Sequence, residues 1–262
     1  MYIVCILLLV SSLSAVKIQW NDGLTIDKNT EQNIYKTYIE DKYSDEIKIY
    51  DDFIIKNRYK NRVILPKMMF VNNIYLSNYE VTNKEYAIFL NDINYFLDEW
   101  IELKSINNTS KIFKQNDTYE VVDGFENFPV IYVSWFGAKI YTKWLSNKTK
   151  LNYRLPTKKE YLSLIKDDIK YKFQIDSISW NIDNSKNNIH QVGLKQANKY
   201  GLYDLIGNVW EWCNNNYTNK KSTLIGGSYN EFITTDIKDI TIISDKNIKK
   251  KDIGFRVIRS VK

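Results

Sequence analysis

GLYDLIGNVWEWC, residues 201–213, sets two tryptophans around one glutamate directly after a Gly-Asn turn. If Val209–Cys213 is extended, Val209, Glu211 and Cys213 share one face and Trp210 and Trp212 the other. Two indoles, each burying roughly 150–250 Å², would anchor the segment in a core. The Glu211 carboxylate then points away from them, back toward the turn. Asp204 sits just before that turn, and Gly207 and Val209 can offer backbone carbonyls within it. Two carboxylates and two carbonyls on one turn are hard-oxygen ligands of the kind that hold Ca²⁺. The other reading is structural: Asp204 caps the turn, while Glu211 takes backbone N–H groups or pairs with an arginine. The spacing alone leaves both open, and it is not that of an EF-hand.

The surrounding chain is globular in composition. Its 262 residues are 44% hydrophobic and 15% aromatic, enough for one sizeable core or two modest ones. The net charge of +6 comes from lysines and arginines spread among acids, with the densest basic run at Lys249–Lys251. A nucleic-acid footprint would cluster more strongly on one element, so no nucleic-acid partner is expected. The first residues carry an apolar run from Ile3 to Val10 and then small residues to Ala15. This reads as a signal peptide over 1–15, too short for a bilayer span of roughly 20 residues. The mature chain is therefore expected to be secreted or periplasmic, without an integral membrane span. Asn107, Asn108, Asn116, Asn147 and Asn216 head N-x-S/T sequons.

Without Cys5 in the leader, Cys213 is the only thiol, which excludes an intramolecular disulfide and any chemistry needing two thiols in one chain. The single histidine, His190, excludes a multi-histidine metal centre and reads as a surface or hydrogen-bonded residue.

Residues 16–62 are charged and Tyr-rich and read as an N-terminal extension. From Val63 the pattern sharpens. ILPKMMFVNNIYLSNYEV alternates about an Asn-Asn turn and predicts a β-hairpin. Three helix starts follow: a capping box at Thr82 and Glu85, an N-cap at Ser134, and a second box at Thr157 and Glu160. Each is followed by an apolar stripe, so each helix must pack on something. Residues 91–126 and 230–252 read as loops. Few helices and many ordered loops around buried tryptophans predict an α+β domain with much irregular backbone.

The ordered blocks YEVTNKEY (79–86), FPVIYVSWFGAKIYTKWLSNKT (128–149), YRLPTKKEY (153–161), VGLKQANKYGLYDLIGNVWEW (192–212), GGSY (226–229) and GFRV (254–257) resemble the formylglycine-generating enzyme family, also called the sulfatase-modifying factor domain, over residues 63–262. The resemblance implies a C-type-lectin-like α+β fold. It also implies a calcium site on Asp204, Gly207, Val209 and Glu211. A second family calcium site would fall near Asn181 and Ile182, where the remaining ligands have no match.

The family's oxidases turn a protein cysteine into formylglycine with a pair of cysteines that handle copper and oxygen, placed between the GGS and GFR blocks. Here that interval is YNEFITTDIKDITIISDKNIKKKDI and holds no cysteine. A relative that places iron on several histidines would find one. No copper or iron site is expected, and a catalytic residue set is not assigned. Trp135, Trp144, Trp210, Trp212, Gly226, Gly227 and Arg256 read as scaffold, with Glu80 and Glu160 as candidate acid partners for Arg154 and Arg256. The expectation is a calcium-stabilised binding or accessory module for a protein or glycan ligand; the alternative is a formylglycine-generating oxidoreductase with an altered metal site.

Overall fold

The computed structural model describes residues 53–56 and 62–261, apart from short stretches at 94–97, 107, 167, 169–174, 216–217, 234–235 and 237–239. The signal peptide, Cys5, most of the N-terminal extension and the sequons at Asn107 and Asn216 lie outside the described residues. A first unit contains the antiparallel pair β1 (Phe53–Lys56) and β2 (Arg62–Leu65), in register from Phe53↔Leu65 to Lys56↔Arg62. The second unit carries the rest from Pro66 onward.

In that unit the Asn-Asn hairpin forms between β3 (Met68–Val71) and β4 (Ile74–Ser77). Asn72 and Asn73 have φ of 52° and 62°, the left-handed pair that a type I′ turn needs to match strand twist. β4 also pairs with β12 (Ile258–Ser260), which pairs with β7 (Tyr153–Arg154), giving a four-stranded sheet in the order β3-β4-β12-β7. The second sheet has the order β10-β9-β8-β11, with β8 Trp210–Trp212, β9 Lys221–Ile225, β10 Thr241–Asp245 and β11 Ile253–Gly254.

The three predicted starts produce α1 (Asn83–Ile93), α2 (Trp135–Thr149) and α3 (Lys158–Ile165), and a single turn, α4, covers Ile175–Ile178. The caps form as read. Thr82 N–H donates to Glu85 Oε2 at 2.7 Å, Ser134 Oγ accepts from Gly137 N at 3.1 Å, and Thr157 with Glu160 completes the reciprocal box. Side-chain oxygens thus satisfy backbone donors that a helix start leaves free.

α3 turns Tyr161, Leu164 and Ile165 into a core with Met69 and Leu76 from the first sheet, Ile225 from the second, and Leu202, Leu205 and Ile206 from the turn before β8. A second, aromatic core joins Tyr86 and Phe89 of α1 to Tyr141 and Trp144 of α2 and to Phe255.

Two stretches read as loop are partly strand. β5 (Ile112–Gln115) and β6 (Thr118–Val121) form a hairpin about Asn116 and Asp117, both with positive φ. β10 occupies part of 230–252. β10 escapes the period-two pattern because it exposes its two consecutive isoleucines, Ile242 and Ile243, one on each face. Among the described residues no helix is long and apolar enough to cross a membrane.

Candidate functional site

β8 is extended, as the alternation of GNVWEWC requires, and both tryptophans are spent on the core. Trp212 Nε1 donates to the Val133 carbonyl at 2.9 Å, and Trp210 Nε1 donates to Glu231 Oε1 at 3.0 Å. Cys213, on the opposite face, is buried in the α3 core and burial pushes its thiol well above the ordinary range.

Glu211 is fully buried and its partner is Arg256, itself fully buried. The strands explain the meeting. β11 runs parallel to β8 with Gly254 beside Glu211, so Arg256 follows two residues later. The approach needs a glycine: a Cβ on Gly254 would lie 2.6 Å from the Val130 carbonyl oxygen. Arg256 Nε donates to both Glu211 oxygens at 2.9 and 2.7 Å, and Nη2 donates to Oε1 at 2.7 Å. The remaining guanidinium donors reach the carbonyls of Ser77, Asn78, Tyr203 and Asp204 at 3.0–3.4 Å. The guanidinium thereby ties β8 to the end of β4 and to the 203–204 turn. Of the two candidate acids, Glu160 pairs with Arg154 at 2.6 Å, whereas Arg256 takes Glu211 in place of Glu80. The structural reading of Glu211, pairing with an arginine, is the one that forms; which arginine has no local signal, since Glu80 and Glu211 are both far from Arg256 along the chain.

The turn is shaped by left-handed residues. Asp204, Gly207 and Asn208 have φ of 52°, 79° and 57°. At Gly207 a Cβ would stand 2.2 Å from the Trp180 carbonyl oxygen, so no other residue fits. Asn208 is a missed structural residue: its side chain donates to Glu80 Oε1 at 3.0 Å and to the His190 carbonyl at 3.3 Å, and accepts from His190 N at 3.0 Å. His190, hydrogen-bonded as expected, stacks on Trp180 at 3.7 Å and places Nε2 2.9 Å from the Ser185 carbonyl.

Three buried carboxylates, Glu80, Asp204 and Glu211, therefore face one guanidinium. Burial, and next the Asp204 charge, push Glu80 well above the ordinary carboxylate range. Burial raises Asp204 to about 6, against the Gly193 N–H and Arg256, which lower it. Asp204 Oδ2 accepts from Gly193 N at 2.6 Å, whereas Oδ1 is buried without a hydrogen-bond partner. Asp204 also lines a cavity of about 10 Å³, beside Asp168, Asn198 and Gln196, with room for one water.

The four residues expected to hold calcium lie in the turn and the first residues of β8, with both Glu211 oxygens taken by Arg256. Glu211 is spent on Arg256, and a dication at the same oxygens would face the guanidinium. Asp204 keeps one carboxylate oxygen without a hydrogen-bond partner, as does neighbouring Glu80 at Oε2. Among the described residues no three His, Cys, Asp or Glu side chains are grouped to hold a metal ion. Asn181, near the second expected site, spends its side chain on Asp176, Ser179 and the Asp183 N–H.

Residues 56–261 match the family described as the Sulfatase-modifying factor enzyme 1-like domain. The chain is 28% identical over 159 residues to the serine/threonine-protein kinase pkn1 of Chlamydia caviae, across 57% of this chain and 24% of that one. It is 35% identical over 107 residues to the "Inactive C-alpha-formylglycine-generating enzyme 2" of Bos taurus, across 34% of each. It therefore spans about a quarter to a third of these relatives. The crystal structure of CarF superposes with a TM-score of 0.55 at 21% identity, covering 82% of this chain and 96% of that one. The family match over residues 56–261, which spans all six blocks, places the chain in the sulfatase-modifying factor family, and its fold is the C-type-lectin-like α+β fold of formylglycine-generating enzymes.

Proposed function

We propose that this is a non-catalytic, extracytoplasmic member of the family, acting as a binding or accessory module for a protein or glycan. The observation that carries the proposal is the fate of the thiols. The interval between the GGS and GFR blocks contains no cysteine, and Cys213 is fully buried in the α3 core, where burial disfavours its thiolate. A soft cuprous ion needs thiolates close together, and thiolates are also the nucleophiles of redox chemistry. The recognisable motif is committed to architecture instead: two indoles to the core and Glu211 to Arg256. The similarity to an inactive relative supports the same reading. The β5–β6 hairpin and the segments that join the strands of the second sheet are the surfaces offered for a ligand, since connections on a fixed core carry recognition.

The test is a competition titration of the purified chain with Cu(I) and a chelator. The expected result is no stoichiometric site; one tightly held equivalent would overturn the proposal in favour of an oxidoreductase with an altered metal site.

A second reading keeps calcium at the turn, and one observation favours it: Asp204 Oδ1 is buried without a partner. Asp204 and the carbonyls of Gly207 and Val209 would then hold the ion, with Glu211 remaining on Arg256. The ion would supply positive charge among three acids that share one arginine.

A further inference from the structure

We propose that the surface around the β8–β9 link binds an acidic polysaccharide through its sulfate or carboxylate groups. This deepens the reading of the chain as a binding module for a glycan and rests on it. The positive charge is not spread evenly: residues 135–166 hold eight lysines and arginines against one acid, Glu160. The fold then brings further cations to the same place. Lys139 of α2 donates from Nζ to Asn214 Oδ1 at 3.3 Å, and Lys158, which opens α3, donates its backbone N–H to Asn215 Oδ1 at 2.6 Å. Lys246, just after β10, donates from Nζ to the Asn219 carbonyl at 3.4 Å and from its backbone N–H to the carbonyl of exposed Lys220. Lys139 and Lys246 also stand 5.6 and 4.3 Å from the centroid of the Trp135 ring. Four segments distant in sequence thus deliver lysines to one link between two strands.

The acids do not follow. Among the described residues Lys139, Lys158, Lys220 and Lys221 form no ion pair, whereas elsewhere Lys114 holds Asp117 and Lys148 holds Asp92. Glu160 is committed to Arg154, and Asp245, opposite Lys221 in the β9–β10 register, accepts the Asn247 N–H. Burial, and then Arg154 and Lys246, lower the Lys139 pKa, as crowded cations without a counter-charge do. Lys158 lies in the first turn of α3, where the helix's own partial positive charge adds to it. Like charges held together strain the compact state until an anion answers them, and a polyanion that does so releases its counterions. The groups between the lysines select among polyanions. Asn214 and Asn215 turn their oxygens to the protein, which leaves their NH₂ groups for sugar hydroxyls and sulfate oxygens. Nucleic-acid bases need exposed rings to stack on, and the indole at the centre of this surface, Trp135, is 9% exposed with Nε1 on the Cys213 carbonyl. Among the described residues no large apolar side chain of α2 or α3 is exposed to enter a lipid surface.

Binding of the full chain to immobilised heparin, polygalacturonate, neutral dextran and duplex DNA, at about 50 and about 300 mM salt, tests this. The expected result is saturable heparin binding that falls steeply with salt, none to dextran, and weaker binding to DNA than to heparin. Polygalacturonate separates the two anionic groups: its binding shows that carboxylates suffice, and its failure assigns the surface to sulfate. Lys158→Gln combined with Lys220→Gln and Lys221→Gln should weaken heparin binding at least about tenfold and leave the melting temperature near wild type. The same loss of charge at three exposed lysines elsewhere, Lys84→Gln with Lys104→Gln and Lys186→Gln, should weaken it less than about threefold. Equal losses in the two triple variants, an unaffected first variant, or tighter binding to DNA than to heparin overturns the proposal. A chain that binds none of these polymers also refutes this surface, while the Cu(I) titration still decides the non-catalytic reading by itself.

Discussion

Replacing Glu211 with glutamine leaves the shape of β8 intact and removes one charge from a pair that water does not reach. Arg256 would keep its four carbonyl acceptors, on Ser77, Asn78, Tyr203 and Asp204, and lose its ion-pair partner Glu211. Breaking a buried pair by removing one partner costs about 3–5 kcal/mol, and the surviving carbonyls place this case near the lower end, about 3 kcal/mol. For a domain of this size that is a fall in melting temperature of roughly 6–12 °C. Arg256→Met should cost more, because it strips donors from four carbonyls as well as from Glu211. The double variant should fall short of the sum of the singles by at least about 1.5 kcal/mol, since both remove the same contact. Urea unfolding of the four proteins, without added metal, measures all of this. If Glu211→Gln costs under about 1 kcal/mol, or costs more only when calcium is present, the assignment of Glu211 to Arg256 is wrong.

Gly207→Ala should destabilise by at least about 2 kcal/mol, because it adds a Cβ 2.2 Å from the Trp180 carbonyl at a positive φ; a neutral effect in urea unfolding would refute the turn geometry. The raised Asp204 makes stability pH-dependent with a definite sign. Folding favours its protonated form, so its contribution is full below the unfolded carboxylate pKa, near 4, and is lost as pH rises through about 6. Wild type should therefore gain up to about 3 kcal/mol relative to Asp204→Asn between pH 7 and pH 4, and parallel pH profiles would contradict this. EDTA should leave the melting temperature unchanged if Arg256 alone balances the acids. Under the calcium reading, saturation at about 100 times Kd adds roughly 2.7 kcal/mol, an increment that Asp204→Asn would abolish.

The parts of the fold that were legible in sequence are those set by local chemistry. Thr82 with Glu85, Ser134, and Thr157 with Glu160 cap helices through bonds that span three residues, and Asn72-Asn73 turns a hairpin through its own φ angles. The alternation in VWEWC correctly separated the indoles from Glu211. Pairing of Glu211 with an arginine was one of two open readings, but which arginine was not legible, because Arg256 lies 45 residues away in the link between β11 and β12 and nothing local distinguishes Glu211 from Glu80 as its partner. β10 was hidden for the opposite reason. An edge strand exposed on both faces has no alternation to read, and its isoleucines stand among lysines and aspartates that suggest a loop.

The central claim is that the domain keeps the family's architecture without its oxidase chemistry. Its most direct test is to incubate the purified chain with copper, oxygen, a reductant and a peptide of the CxPxR type, and to follow the peptide cysteine by mass spectrometry. The account predicts an unaltered cysteine mass in wild type, as in Cys213→Ser. Time-dependent conversion of that cysteine to formylglycine would contradict it.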